Sequence, residues 1–142
     1  MKRFLLDTNV ISESMRPRPS ATVLRWFEAR DPAGLFLSVI TLGELVAGIR
    51  RLESTARRRA HEKWLGDVVV AQFQGRILSF DPDVAWRWGV LVAQTASTGR
   101  PRPAIDLQIA AISAHHGLVL ASRNAQDFAG LDLDVVSPWV VT

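Results

Sequence analysis

Short apolar runs alternate along this chain with longer segments in which apolar residues recur every three or four positions. Phe4-Leu5-Leu6, Leu35-Phe36-Leu37, Ile77-Leu78-Ser79-Phe80 and Leu118-Val119-Leu120-Ala121 are of strand length, and a last run lies near Leu133 to Val136. Unbroken apolar character over so few residues fits strands buried on both faces. A short helical stretch follows the first run as far as Met15, where Arg16-Pro17-Arg18-Pro19 stops it, because proline lacks an amide donor and fixes φ. Ser20 is placed to N-cap a helix to about Arg30 with Val23, Leu24 and Phe27 on one stripe. Further stripes are Leu42, Leu45, Val46, Ile49 and Leu52, then Trp64, Leu65, Val68 and Val69 within a helical segment from Ala56 to Phe73. After Asp81-Pro82 come Val84, Trp88, Leu91, Val92 and Thr95, with Trp86 off the stripe, and after Pro103 come Ile105, Ile109 and Ile112. Strands alternating with helices predict an α/β fold. Its sheet is mainly parallel, of four to five strands flanked by helices, in one domain over residues 1–142.

In open sheets of this class, ligands bind just beyond the carboxyl ends of the strands. The polar residues at those ends therefore carry the functional question. The first run ends on Asp7-Thr8-Asn9, the second leads into Thr41 and Glu44, and the fourth into Ser122-Arg123-Asn124-Ala125-Gln126-Asp127-Phe128. Asp106 lies at the start of the helix before the fourth run. Each acid has a purely structural reading. Asp7 suits a turn or the N-cap of a helix starting near Val10, Thr41-Leu42-Gly43-Glu44 matches a capping box, and Asp106 suits the positive end of a helix dipole. The position of Asp7 and Glu44 at strand ends favours a site. Four carboxylates in one crevice repel one another by several kcal/mol, on the order of a Coulomb estimate, unless a cation neutralises them. All-oxygen donors select Mg²⁺ or Mn²⁺. His115-His116 precede Gly117 at a helix end, where adjacent imidazoles diverge and no partner at ligand spacing is visible, so metal ligation is not expected there.

Composition narrows the choice. The chain has no cysteine, which excludes a disulfide framework, a thiolate zinc site and a cysteine nucleophile. Its 17 Lys and Arg against 14 Asp and Glu give +3, and all the bases but Lys2 and Lys63 are arginine. Arg16, Arg18, Arg25, Arg30, Arg50, Arg51, Arg57, Arg58, Arg59 and Lys63 cluster among few acids, predicting a basic face suited to phosphate. Ser97-Thr98-Gly99-Arg100-Pro101-Arg102-Pro103 is a candidate phosphate-contacting loop. Too few apolar residues precede Asp7 for a signal sequence, and no run approaches membrane-spanning length, so a soluble cytoplasmic protein with no membrane partner is expected.

Four blocks kept in order carry a resemblance over nearly the whole chain. They are Leu5-Leu6-Asp7-Thr8-Asn9-Val10-Ile11-Ser12-Glu13, Ser38-Val39-Ile40-Thr41-Leu42-Gly43-Glu44-Leu45, Asp106-Leu107-Gln108-Ile109-Ala110-Ala111 and Ser122 to Phe128, with the ending Ser137-Pro138-Trp139. Together they resemble the PIN-domain ribonuclease toxins of the VapC type, especially their FitB-like branch. The resemblance implies a three-layer α/β/α PIN domain and an endoribonuclease toxin dependent on Mg²⁺ or Mn²⁺. Water activated at the metal would leave 5′-phosphate and 3′-hydroxyl ends. It also implies that Asp7, Glu44 and Asp106 are the catalytic metal ligands. Asp127 is assigned the fourth place, although Asn124 stands where such proteins often have an acid. Thr8, Asn9, Thr41, Arg123 and Asn124 would orient ligands or contact phosphate, and Arg16, Arg18, Arg100, Arg102 and Arg123 would hold the backbone of single-stranded or looped RNA. Implied partners are a cognate antitoxin, operator DNA reached only through the antitoxin complex, and a second copy in a homodimer. The apolar helices near Trp26, Ile49 and Trp64 are candidates for those contacts. Two other readings stand beside this one: a non-catalytic nucleic-acid-binding module, and an aspartyl-phosphate phosphatase, for which Asn9 occupies the place of a needed second Asp.

Overall fold

The computed structural model describes residues 1–99 and 102–141. Strands β1 (Phe4–Leu6), β2 (Leu35–Ser38), β3 (Ile77–Leu78), β4 (Val119–Ala121) and β5 (Val135–Val136) form one sheet in the order β3-β2-β1-β4-β5. Every pairing is parallel, so the sheet is wholly rather than mainly parallel. The chain winds outward from β1 through β2 to β3, then crosses back to β4 on the other side of β1. The strand order thus reverses between β1 and β4, and a crevice opens at such a reversal.

Alternation along β1 divides the core in two, because successive strand side chains face opposite sides. Phe4 and Leu6 join Val10, Leu37, Leu45, Ile49 and Leu65 on one face. Leu5 joins Val84, Ile109, Ile112 and Leu120 on the other. Helices α1 (Thr8–Glu13), α2 (Ala21–Glu28), α3 (Val39–Arg50) and α4 (Thr55–Trp64) belong to the first face, and α5 (Pro82–Ser97) with α6 (Ala104–His115) covers the second. The result is the three-layer α/β/α arrangement.

Side-chain caps start helices α1 to α5. Ser20, Ser54 and Asp81 accept hydrogen bonds from the amides of Val23, Arg57 and Val84. At α3 the capping box that the Thr41–Glu44 spacing allows does not form. Ser38 is the cap, accepting from the Thr41 amide at 3.0 Å, so the helix begins before Thr41 and Glu44 falls in its second turn.

Several stripe positions depart from expectation. Leu24, Val46, Val68, Val92 and Ile105 are exposed, whereas Leu107 and Ile109 through Ser113 are buried. Helix α6 lies between α5 and the sheet, so it is buried over more than one stripe. After α4 the winding widens to a π-type turn over Leu65–Val70, which shifts the phase: Leu65, Val69 and Phe73 face inward and Val68 turns out. The third strand is shorter than its apolar run, since Phe80 leaves the sheet to meet Trp88 edge to face at 6.0 Å. Gly117 links α6 to β4 at φ 63°, a conformation that a side chain would strain. Among the described residues no helix is long and apolar enough to cross a membrane.

Burial makes opposite demands on two isoleucines of α6. Ile112→Ala is expected to lower stability by about 2–5 kcal/mol and Ile105→Ala by no more than about 0.5 kcal/mol. Urea denaturation of both variants checks this.

Candidate active site at the carboxyl edge of the sheet

Asp7, Glu44, Asp106 and Asp127 line one cleft of ≈ 370 Å³, together with Thr8, Asn9, Ser12, Asn124 and Phe128. Asp7 arrives there because the chain leaves β1 beside β4. Its amide donates to the Ala121 carbonyl at 2.9 Å and so extends the ladder by one step. Leu6 pairs with Ala121, which sets the next residues, Asp7 and Ser122, side by side. The buried Ser122 hydroxyl donates to Asp7 Oδ2 at 2.7 Å, and the Thr8 amide donates to Oδ1 at 2.8 Å. Asp7 is also the N-cap of α1, so it caps the helix and lines the cleft at once.

Glu44 reaches the cleft because it is not folded back as a cap. Its Oε1 accepts from the Thr8 hydroxyl at 2.6 Å, and the fully buried Thr41 hydroxyl lies 3.2 Å from the same Thr8 oxygen. Thr8 has one hydroxyl proton and gives it to the carboxylate, so Thr41 donates to Thr8. Asp106 is half-buried in the first turn of α6. Asp127 is exposed on a 3₁₀ turn, Ala125–Phe128, anchored by buried Phe128.

The electrostatics bind these acids into one unit. Burial raises the Asp106 carboxyl above the ordinary carboxylate range, repulsion from Asp7, Asp127 and Glu44 raises it further, and Arg102 partly offsets both. Burial also raises Asp7, against the opposing hydrogen bonds from Ser122 and Thr8. Among the described residues the ion pairs are Arg16–Glu13 and Arg50–Glu62, and neither involves a cleft acid. An excess of carboxylate oxygen, buried at Asp7 and half-buried at Glu44 and Asp106, with no protein cation paired to it among the described residues, fits a hard divalent cation.

The cleft acids are nonetheless spaced openly. Among the described residues, the three-residue set whose ligand atoms all lie within 4.8 Å of one another is Asp81, Asp83 and His115. This corrects the expectation that His115 has no neighbour at ligand distance: the antiparallel packing of α5 on α6 brings residues 81 and 83 to it. That group is distinct from the cleft. His115 lies nine residues along α6 from Asp106, roughly 13 Å at the rise of an α-helix. Both aspartates are exposed, and Asp81 Oδ1 already caps Val84 at 2.9 Å. The cleft, with Asp7 buried and Asp106 repelled by three neighbouring carboxylates, makes the stronger case for a cation.

The other expected site residues divide. Asn9 Oδ1 accepts from the Arg123 amide at 3.2 Å and so ties the loops after β1 and β4 together. Arg123 is exposed, its guanidinium 5.2 Å from the centre of the Trp139 ring, while Asn124 lines the cleft. Arg102 donates to the Ala129 carbonyl at 2.7 Å near Asp106. Arg16 and Arg18 are exposed, and Arg100 lies outside the described residues. Of the residues expected at partner contacts, Ile49 and Trp64 line a groove beside the cleft. Trp26 is instead packed edge-on between Phe4 and Phe27. Ser122 was not singled out by sequence, although it directly follows β4 and the β1–β4 register places it beside Asp7.

The family model described as PIN domain matches residues 4–132. The chain belongs to the PIN-domain family. Within it the protein is 36% identical over 135 residues to the VapC ribonuclease Y4jK of Sinorhizobium fredii, covering 95% of this chain and 96% of that one. It is 35% identical to the Toxin FitB of Neisseria gonorrhoeae, covering 95% and 97%. This PIN domain also matches a chain in the structure of FitAB bound to an IR36 DNA fragment, with a TM-score of 0.93, 32% identity and coverage of 98% and 97%. These likenesses place it on the VapC/FitB branch.

The raised acids have a stability consequence. A carboxyl whose folded pKa exceeds its unfolded value contributes stability that is fully present below the unfolded pKa and lost as pH rises through the folded pKa. Asp106→Asn is therefore expected to raise Tm by about 2 °C at neutral pH in chelator, a small gain because solvent screens a half-buried group. The difference should vanish at acid pH, where wild-type Asp106 is protonated. Thermal melts of both proteins across pH check the sign.

Proposed function

We propose that this PIN domain is an endoribonuclease dependent on Mg²⁺ or Mn²⁺ and acts as the toxin of a toxin–antitoxin pair. The observation that carries the reading is the convergence of Asp7, Glu44, Asp106 and Asp127 on one cleft, where Asp106 feels the charge of the other three. Similarity to a VapC ribonuclease and to the FitB toxin supports it.

Asp7, Glu44 and Asp106 would hold the cation, with Asp127 completing the set. When bound, the cation acidifies water for attack on phosphorus and neutralises charge on the phosphoryl oxygens. The chain's own groups prepare that chemistry. Ser122 and the Thr8 amide fix both oxygens of Asp7, and the Thr41–Thr8 hydroxyl pair aims Glu44. Burial of Asp7 excludes water from its inner side. Asn124 and Asp127, on the loop after β4, face the open side where a phosphodiester enters. Displacement of the 3′ oxygen leaves a 5′ phosphate and a 3′ hydroxyl. The phosphatase reading loses ground because the Asn9 side chain, at the place of the needed acid, is engaged with the Arg123 amide.

The antitoxin covers this cleft and keeps RNA out, and operator DNA is reached only through that complex. A homodimer acting in the cytoplasm, with residues 1–142 as one functional domain, completes the proposal.

Purified protein incubated with total RNA is expected to cut only with Mg²⁺ or Mn²⁺ and to leave 5′ phosphates. Asp7→Asn and Asp106→Asn should each lose more than about 100-fold in rate, exceeding the loss typical when a ligand's hydrogen-bond partner is removed. Equal cleavage by the variants would overturn the assignment. Ser122→Ala removes only a supporting donor, so a loss of about 10–100-fold, partly recovered at higher Mg²⁺, is expected in the same assay.

A further inference from the structure

A groove of ≈ 320 Å³ runs beside the acidic cleft, and Thr8, Ser12 and Glu44 line both. The groove therefore adjoins the acids directly. The charge changes sign from one to the other. Beyond Glu44 the rim carries Arg16 and Arg57, both exposed, and the walls are Met15, Leu45, Ile49 and Trp64. Arg16 Nη1 donates to the buried carboxylate of Glu13 at 3.4 Å, which steadies it at the rim, and among the described residues its other guanidinium donors have no protein partner.

Guanidinium groups beside an aromatic and thioether wall form the combination that takes an unpaired nucleotide: phosphate on the arginines, base face on the apolar surface. The groove is at the small end of ligand pockets, which run from about 300 Å³ upward, and so admits a splayed nucleotide and not a duplex.

We infer that this groove is the subsite for the nucleotide flanking the scissile phosphate of single-stranded RNA, with Arg16 and Arg57 as phosphate contacts and Trp64 as the base platform. The inference rests on the ribonuclease reading.

The test is a titration, followed by fluorescence anisotropy, of a fluorescein-labelled mixed-sequence single-stranded RNA of about 12 nucleotides, a length within the range one binding face spans. The protein carries Asp106→Asn so that binding is read without cleavage. Arg16→Ala and Arg57→Ala are each expected to weaken binding about five- to tenfold. Each should also reduce the slope of log affinity against log salt by about 0.7, the value for one lost phosphate contact on a single strand. Trp64→Ala should weaken binding about tenfold and Trp64→Phe should largely restore it. The exposed Arg87→Ala, on α5, serves as a control and should leave affinity unchanged.

In protein otherwise wild type, Arg16→Ala and Arg57→Ala should raise KM with kcat nearly unchanged. Unchanged RNA affinity, salt slope and KM in the Arg16→Ala/Arg57→Ala double variant would give the groove to a protein segment and overturn the inference, even if cleavage is robust. Binding that depends on Arg16 and Arg57 in a protein that never cleaves RNA would uphold the subsite and defeat the ribonuclease reading instead.

Discussion

The hydrogen bond from the Asp7 amide to the Ala121 carbonyl is the contact on which the site depends. It is one rung of an ordinary parallel ladder, yet it sets a carboxylate beside a serine hydroxyl across more than a hundred residues of chain. A slip of one residue in that pairing would turn Asp7 toward the opposite layer. The packing of Leu5 and Leu6 into separate cores prevents the slip, since each fills a cavity on its own face. Precision at the cleft is thus supplied by hydrophobic burial below it.

That precision is held under electrostatic tension. The N-terminal ends of α1 and α6 lend positive potential to Asp7 and Asp106, and hydroxyls from Thr8 and Ser122 fix the orientation of Glu44 and Asp7, but none of these supplies a full positive charge. The molecule carries ample arginine and keeps it at the margins. Arg102 moderates Asp106 from the side, while Arg16 and Arg57 stand along the adjoining groove. The cleft thus has acids at its centre and guanidinium groups around them.

Much of this was legible in the chain. Unbroken apolar runs gave the buried parallel strands, Ser20, Pro82 and Pro103 marked helix starts, and polar residues at strand ends pointed to the cleft. Three things were not legible, each for a physical reason. The capping-box pattern at Thr41 competed with Ser38, and local spacing does not reveal which hydroxyl the backbone selects. The π-type turn changed the period within a helix, so a fixed 3.6-residue count assigned Val68 inward. The group at Asp81, Asp83 and His115, like the contact of Ser122 with Asp7, arises only when distant segments pack, and Ser122 becomes predictable only once the β1–β4 register is known.

The strand order also fixes when the cleft can exist. Of the strands β1 is made first, yet its neighbour on one side is β4, which emerges from synthesis only after β2, β3 and the six helices lying between them in sequence. Until Ala121 and Ser122 are available, Asp7 lacks its hydroxyl donor and Asp127 has not been added. A growing chain therefore carries most of its acids well before it carries a working arrangement of them. Topology alone delays that arrangement until the segment carrying Ser122 and Asp127 has been made.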